Sequence, residues 1–521
     1  MTEYRQPSRV IAEYIWLDSN NKYRSKTRIF GYDEINENKI NFADSYPKWN
    51  YDGSSCGDNL GLDSITECVL EPHSVYTDPI NISTSSTKYK YILCRNYYYD
   101  IEYLNDLNAL ETNELSFISD FSEHKFRLVP LHPDMEPEVW NNETFKNEEF
   151  MLGFEQEFFL IDNATKMPMG FYRPVTYCPF TFIILQVFRH LGISRGYLPI
   201  SGKQGPYYCG VGNMNVKHRN FLTYAQTLLL KANIDVTGFN YEVAPGQAEF
   251  QVFGPATRAC NDLLMTRYIL QVIAEKYDFS ISFDPVVINK KHGEFNMSGC
   301  HTNISFNSYR NLIFDTLSNS NTNSLNTTET NDNTETNGIT ETNDNTETND
   351  ITETNDITET NDDTETNDYK LDTVQSFMDY IKILWDDDIL INSNTDFESI
   401  FGKNNKARCN GELETSDWRE LTWGVGSRHT SVRVPVDSLL SNSGEHINPS
   451  KMYFEDRRPS SNVEPFTILR YWSELVNVVF HNNSNTQYDD NNGNDIEVVN
   501  TNSSYLNMEY FTSIIGLKKT N

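Results

Sequence analysis

The chain has 521 residues, 38% apolar and 13% aromatic, and 74 acidic against 42 basic side chains give it a net charge of −32. That composition supports at least one large core and a length suited to two or three domains. The acidic balance excludes a surface built for phosphate backbones, so no nucleic-acid partner is expected.

Strand signals dominate the first hundred residues, in VIAEYIWLD, KTRIFGYD and KYKYILCRNYYYD, which are β-branched and aromatic runs bounded by polar turns. Helical spacing follows in FTFIILQVFRHLG at 180–192, NFLTYAQTLLLKAN at 220–233 and DLLMTRYILQVIAEKYD at 262–278. The pattern predicts a small β-rich N-terminal part and a larger mixed part. In the segment 319–369 TETN recurs every six residues with almost nothing apolar, so burial cannot offset its ordering entropy and a disordered surface insert is expected. Residues 321–368 hold fourteen acids and no Lys or Arg, leaving 60 acidic against 42 basic residues elsewhere, a balance of −18. A second polar loop is expected at 481–502. The eight cysteines form no CxxC or CxxH grouping, which argues for reduced thiols over zinc sites or a disulfide framework. The opening residues carry no basic start with an apolar core behind it, and no run reaches the length of a membrane helix, so a cytoplasmic protein with no membrane partner is expected.

Candidate chemistry begins at FEQEFF, 154–159. As a strand it puts Glu155 and Glu157 on one face, and Phe154, Gln156 and Phe158 on the other. Alone, that pattern also fits an ordinary half-buried strand with a wet face. In YEVAPGQAEFQVFGP, Pro245 and Gly246 between Glu242 and Glu249 allow a turn that folds both acids towards one point. His301, Asn303 and Ser305 share a strand face in GCHTNISF, and YFEDRRPSSN sets Glu455 beside Arg457 and Arg458. Five glutamates and one histidine make a hard, oxygen-rich set suited to Mg²⁺ or Mn²⁺ rather than Zn²⁺. Arg408, Arg428 and Arg433 add fixed forks for carboxylate and phosphate, as phosphoryl transfer requires.

Taken in order, WNYDGSS at 49–55, FEQEFF, QGPYYCGVG at 204–212, the EVAPGQAEFQ run, GCHTN, SRHTSVRVP at 427–435 and YFEDRRPSSN resemble the glutamine synthetase family, in its eukaryotic-type branch. The resemblance implies an α+β fold: a β-grasp-like N-terminal domain at 1–110 and an α/β catalytic domain at 111–521, with a curved antiparallel sheet forming a funnel among helices. It implies stacked homo-oligomeric rings with sites between subunits. The implied reaction is ATP-dependent ligation of ammonium to glutamate through a γ-glutamyl phosphate.

By motif position, Glu155, His301 and Glu455 are implied to hold one metal ion, and Glu157, Glu242 and Glu249 another, with Mg²⁺ or Mn²⁺ as cofactor. Asn303, Ser305, Arg428, Arg433 and Tyr453 match ATP-binding positions, and Asn296, Gly299, Arg408 and Arg457 glutamate-binding ones. Asp52 matches the aspartate that binds ammonium and helps take its proton, with Tyr197 in the same pocket; Glu414 matches the flap residue that closes over the acyl phosphate, and Arg428 a residue on the transferring group. Three departures stand out: Met297 occupies a position where the family has glycine, Leu413 replaces a histidine before the flap glutamate, and 105–150 bears little resemblance. They leave two alternatives open, a related ligase using another amine or acid acceptor, or a catalytically silent ring protein.

Overall fold

Two β-sheets packed on one long buried helix set the positions of the candidate residues. The computed structural model describes residues 9–31, 34–35, 37–58, 66–103, 124–172, 198–199, 204–212, 218–287, 295, 297–311, 374–385, 397–412, 415–439 and 451–481. The expected TETN insert, the polar loop beyond 481 and the expected helix at 180–192 lie outside these residues.

The first sheet comprises β1 (Arg9–Leu17), β2 (Tyr23–Gly31), β3 (Trp49–Asp52), β4 (Glu67–Thr77), β5 (Thr87–Tyr103) and β6 (His124–Pro130). Its order is β2-β1-β5-β4-β3, with β6 also on β5, and only the β1–β5 pairing is parallel. Period-two alternation explains how β1 serves two cores at once. Val10, Ala12, Tyr14 and Trp16 enter a small core within the sheet, while Ile15 and Leu17 on the other face join the main core. β6 lies past residue 110; we propose that the N-terminal domain extends through it to Pro130.

The second sheet contains β7 (Met151–Asp162), and a short ribbon follows it, β8 (Phe171–Tyr172) with β9 (Leu198–Pro199). Its remaining strands are β10 (Val236–Tyr241), β11 (Gln247–Pro255), β12 (Phe279–Ser282), β13 (Cys300–Ser305), β14 (Trp423–Val425), β15 (Val432–Val434) and β16 (Phe454–Asp456). The order is β10-β11-β7-β13-β16-β15-β14, with β12 also on β7. The expected antiparallel sheet needs one correction: β14 and β15 run parallel, while the other pairs are antiparallel. The overall class is α+β, as expected.

Helix Ala256–Lys276 joins the two sheets. It starts six residues before the expected 262, directly after Pro255, because Ala256, Ala259 and Cys260 are small residues that pack closely without a strong apolar signature. Its buried polar groups reach the first sheet: Tyr76 Oη donates to Asp262 Oδ1 at 2.8 Å and Tyr268 Oη to Glu13 Oε1 at 2.5 Å. The back face of β7 packs against it through Leu152, Phe154, Phe158 and Leu160, each fully buried. Such side chains contribute roughly 1.5–3 kcal/mol apiece, which holds the opposite face in place.

Candidate active site

That opposite face carries Glu155 and Glu157. Strand register sets their neighbours: Glu249 stands directly opposite Glu157, His301 opposite Glu155, and Glu455 opposite both Asn303 and Arg433. Glu242 arrives through the turn between β10 and β11. The turn requires Gly246, which has φ +75° and where a Cβ would fall 2.7 Å from the carbonyl oxygen of Met169.

Two triads result. In one, ligand atoms of Glu155, His301 and Glu455 lie within 4.8 Å of one another, and in the other those of Glu157, Glu242 and Glu249 do. His301 Nδ1 faces Glu455 Oε1 at 3.4 Å and Glu155 Oε2 at 3.7 Å. Burial, assisted by Arg457, pushes the imidazole well below its usual range, so the ring is neutral as a metal ligand must be. Arg457 Nη1 donates to Glu455 Oε1 at 2.7 Å, and Arg433 Nε lies against Glu455 Oε2.

Amides hold the second triad. Gln247 Nε2 and the Gly299 N–H each donate to Glu157 Oε2 at 2.9 Å, Asn240 Nδ2 to Glu242 Oε1 at 2.7 Å and Gln251 Nε2 to Glu249 Oε1 at 2.7 Å. Burial raises Glu157 to about 7; burial and then the neighbouring carboxylates Glu157 and Glu155 raise Glu242 to about 8 and, with Glu242 itself among the neighbours, push Glu249 well above the usual range. Three carboxyls this close cannot all ionise unless something positive sits among them. The arrangement therefore fits a divalent cation, and the all-oxygen donors suit a hard one.

The other expected residues divide by location. Arg408, Arg428, Arg433 and Arg457 line the same cavity of about 200 Å³ as five of the six ligands, Glu455 being buried beneath Arg433 and Arg457. Gly299 lies beneath Arg408, whose Nη2 would be 2.5 Å from any added Cβ. Asn303, Ser305 and Tyr453 line an adjoining cavity of about 800 Å³ that also contains Glu155. Within it Asn303 Nδ2 already donates to Glu155 Oε1 at 2.9 Å, and the Ser305 hydroxyl is committed to the Met452 carbonyl at 2.7 Å. Asp52 is exposed at the end of β3, bonded by Ser54 and Ser55, and among the described residues none of its sheet lines the acidic cavity. Glu414, Asn296 and Tyr197 lie outside the described residues. Met297 lines the acidic cavity.

The expectations missed the amides Asn240, Gln247 and Gln251, and Tyr208 at the cavity mouth, where Arg428 stacks 5.7 Å from its ring. Two of them left a signal. Asn240 precedes Glu242 by two and Gln251 follows Glu249 by two, which is the spacing of a shared strand face.

The sequence profile of the glutamine synthetase catalytic domain matches residues 139–330. A cytosolic glutamine synthetase isozyme of Pinus sylvestris is 27% identical over 471 residues, covering 90% of this chain and 94% of its own length. A second cytosolic isozyme, from Vitis vinifera, is 28% identical over 469 residues, covering 89% and 93%. The cryo-electron microscopy structure of Plasmodium falciparum glutamine synthetase aligns over 91% of this chain and 72% of that one, at 14% identity and a TM-score of 0.48, too loose to add to the sequence relationship. With two acidic triads on one sheet face, the chain is similar to glutamine synthetases over nearly its full length and to their catalytic-domain profile over 139–330.

Proposed function

We propose that this chain is a glutamate–ammonia ligase, which uses ATP to join ammonium to the side-chain carboxylate of L-glutamate through a γ-glutamyl phosphate and releases glutamine, ADP and phosphate. The observation that carries this reading is the pair of triads sharing one face with four arginines around them. Glu155, His301 and Glu455 would hold one Mg²⁺ or Mn²⁺ and Glu157, Glu242 and Glu249 another. Bound there, the ions supply charge neutralisation for the phosphates and the acceptor carboxylate.

The chain's own residues do the rest. Arg408 and Arg457 orient the glutamate together with Gly299, and Asn296 would share in binding it. Arg428 and Arg433 fork onto the migrating phosphoryl group, where planar guanidinium geometry suits anionic oxygens. The cavity of about 800 Å³ lined by Asn303, Ser305 and Tyr453 has room for a nucleotide. Glu414 on the flap excludes water from the acyl phosphate. Asp52, a carboxylate held below its usual range by the Ser54 and Ser55 hydroxyls, stays ionised to attract ammonium and accept its proton, and Tyr197 would share that task. Because no described residue of its sheet lines this chain's acidic cavity, Asp52 supports a homo-oligomer in which one subunit completes the next one's site. Among the described residues no helix is long and apolar enough to cross a membrane, and a cytoplasmic location is part of the same proposal.

Met297 favours a second reading, since its side chain takes up part of the wall of the acidic cavity where a larger amine or a different acid would have to fit. Phosphate release from ATP and glutamate, measured with ammonium and with a series of alkylamines, separates the two. Turnover with an amine and none with ammonium would sink the ammonia reading.

A further inference from the structure

Behind the ligand-bearing face lies a charge that the proposed reaction does not use. Arg267, on the long helix, is 6% exposed, and among the described residues no carboxylate comes within ion-pair distance of it. Burying a guanidinium without a counter-charge carries a penalty of several kcal/mol that good packing alone would not incur. Its partners show what it holds. Nε donates to Gln156 Oε1 at 2.7 Å and Nη1 donates to the Val463 carbonyl at 2.6 Å.

Each partner adjoins a ligand. Gln156 is fully buried between Glu155 and Glu157 on β7, and its own Nε2 donates to the Glu157 carbonyl at 2.7 Å and the Ser461 carbonyl at 2.9 Å. Cys300 stands opposite Gln156 and immediately precedes His301 on β13. Val463 closes the segment running on from Glu455, which is tied to β13 where the Cys300 N–H donates to the Pro459 carbonyl at 2.9 Å. One planar fork therefore bonds β7 and the segment after Glu455, and β13 is tied to both, through its pairing with Gln156 and the Cys300–Pro459 bond, so that the three segments joined in this way carry Glu155, Glu157, His301 and Glu455.

We propose that Arg267, acting through Gln156, is a positioning residue that holds the three ligand-bearing segments in the register both triads need, so that it sets metal affinity without touching metal or substrate. The inference rests on the triads being metal sites. A fork is needed because an ammonium, a point charge on a flexible stem, cannot span the same partners at once.

The test is direct Mn²⁺ binding to the full chain, by electron paramagnetic resonance of free ion and by calorimetry, together with melting of the metal-free protein. Arg267→Met and Gln156→Met are each expected to weaken Mn²⁺ binding by about tenfold or more, the scale seen when groups supporting ligands are removed. The double variant, which replaces both partners by apolar groups, should melt close to the wild type and lose no more affinity than the worse single change, because both act on one link. Arg267→Lys should not restore binding. If Arg267→Met does not fold, Gln156→Met carries the test alone. Wild-type Mn²⁺ affinity in a folded Arg267→Met or Gln156→Met protein, or full rescue by lysine, would overturn the positioning role. No Mn²⁺ binding by the wild-type chain would overturn the metal reading and this proposal with it.

Discussion

Glu155, His301 and Glu455 sit among guanidinium groups, whereas Glu157, Glu242 and Glu249, on the same sheet face, are held by amides. Glu455 is fully buried yet bears Arg433 on one oxygen and Arg457 on the other. In the second triad burial and mutual repulsion outweigh the pull of Arg408, Arg457 and Arg428, and all three carboxyls are raised. The first triad thus has its negative charge balanced by protein, and the second needs a proton or a cation. Two adjacent clusters made from the same residue type would in this way differ in what they demand of a metal: the first could accept one, while the second would gain most from one.

The largest expected effect does not distinguish the triads. Glu155→Ala and Glu249→Ala should each reduce Mn²⁺-dependent phosphate release by on the order of a hundredfold or more, since a metal ion contributes several kcal/mol of charge stabilisation. Unchanged turnover in either would remove that triad from the mechanism.

Stability measurements separate them. In metal-free protein Glu455→Gln breaks buried ion pairs and should destabilise by about 3–5 kcal/mol. Glu249→Gln relieves crowding and should stabilise the chain by roughly 1–3 kcal/mol under the same conditions. Equal signs in thermal melts would erase the contrast.

Glu464 provides a control away from the ligands. Burial raises it to about 7 while its carboxylate caps helix Pro465–Val476 at the Thr467 N–H. Its folded value lies above the unfolded one, so its contribution is fully present below about pH 4.5 and is lost as pH rises through about 7, on the order of 3 kcal/mol in all. Glu464→Gln should flatten the dependence of melting temperature on pH over that window, with and without Mn²⁺. Persistence of the full slope in the variant would assign it to other groups. The smallest effect concerns the amides: Gln251→Leu should loosen Mn²⁺ binding by about tenfold through Glu249, with helix and strand content retained by circular dichroism.

Much of the acidic face could be read directly from residue order. Period two in FEQEFF separates the acids from the aromatic back face, and Pro245-Gly246 announces the turn that brings Glu242 towards Glu249. These are local rules, and the structure follows them. What could not be read depends on register between distant strands. That Cys300 stands opposite Gln156, or that Glu455 meets Arg433, is decided by the packing of β13, β15 and β16 and not by any spacing. Arg267 is hidden for a related reason, because in DLLMTRYILQVIAEK it reads as an ordinary polar position on a helix until the helix proves buried nearly all round. Nor could the pairing of β6 with β5 be read, because no local signal marks that strand as a partner, and the proposed extension of the N-terminal domain past 110 rests on it.

The strand order also bears on how the sites assemble in time. Glu242 and Glu249 belong to one hairpin, β10–β11, whose pairing closes a short loop, and Glu157 joins when β7 docks beside β11. Glu155, His301 and Glu455 come from β7, β13 and β16 and meet only after some three hundred residues of chain have been brought into place. Contacts of such separation form late because loop closure must precede them. During refolding the hairpin triad should therefore gather ahead of its neighbour, and occupancy of the Glu155, His301 and Glu455 triad reports that the whole chain has reached its native topology.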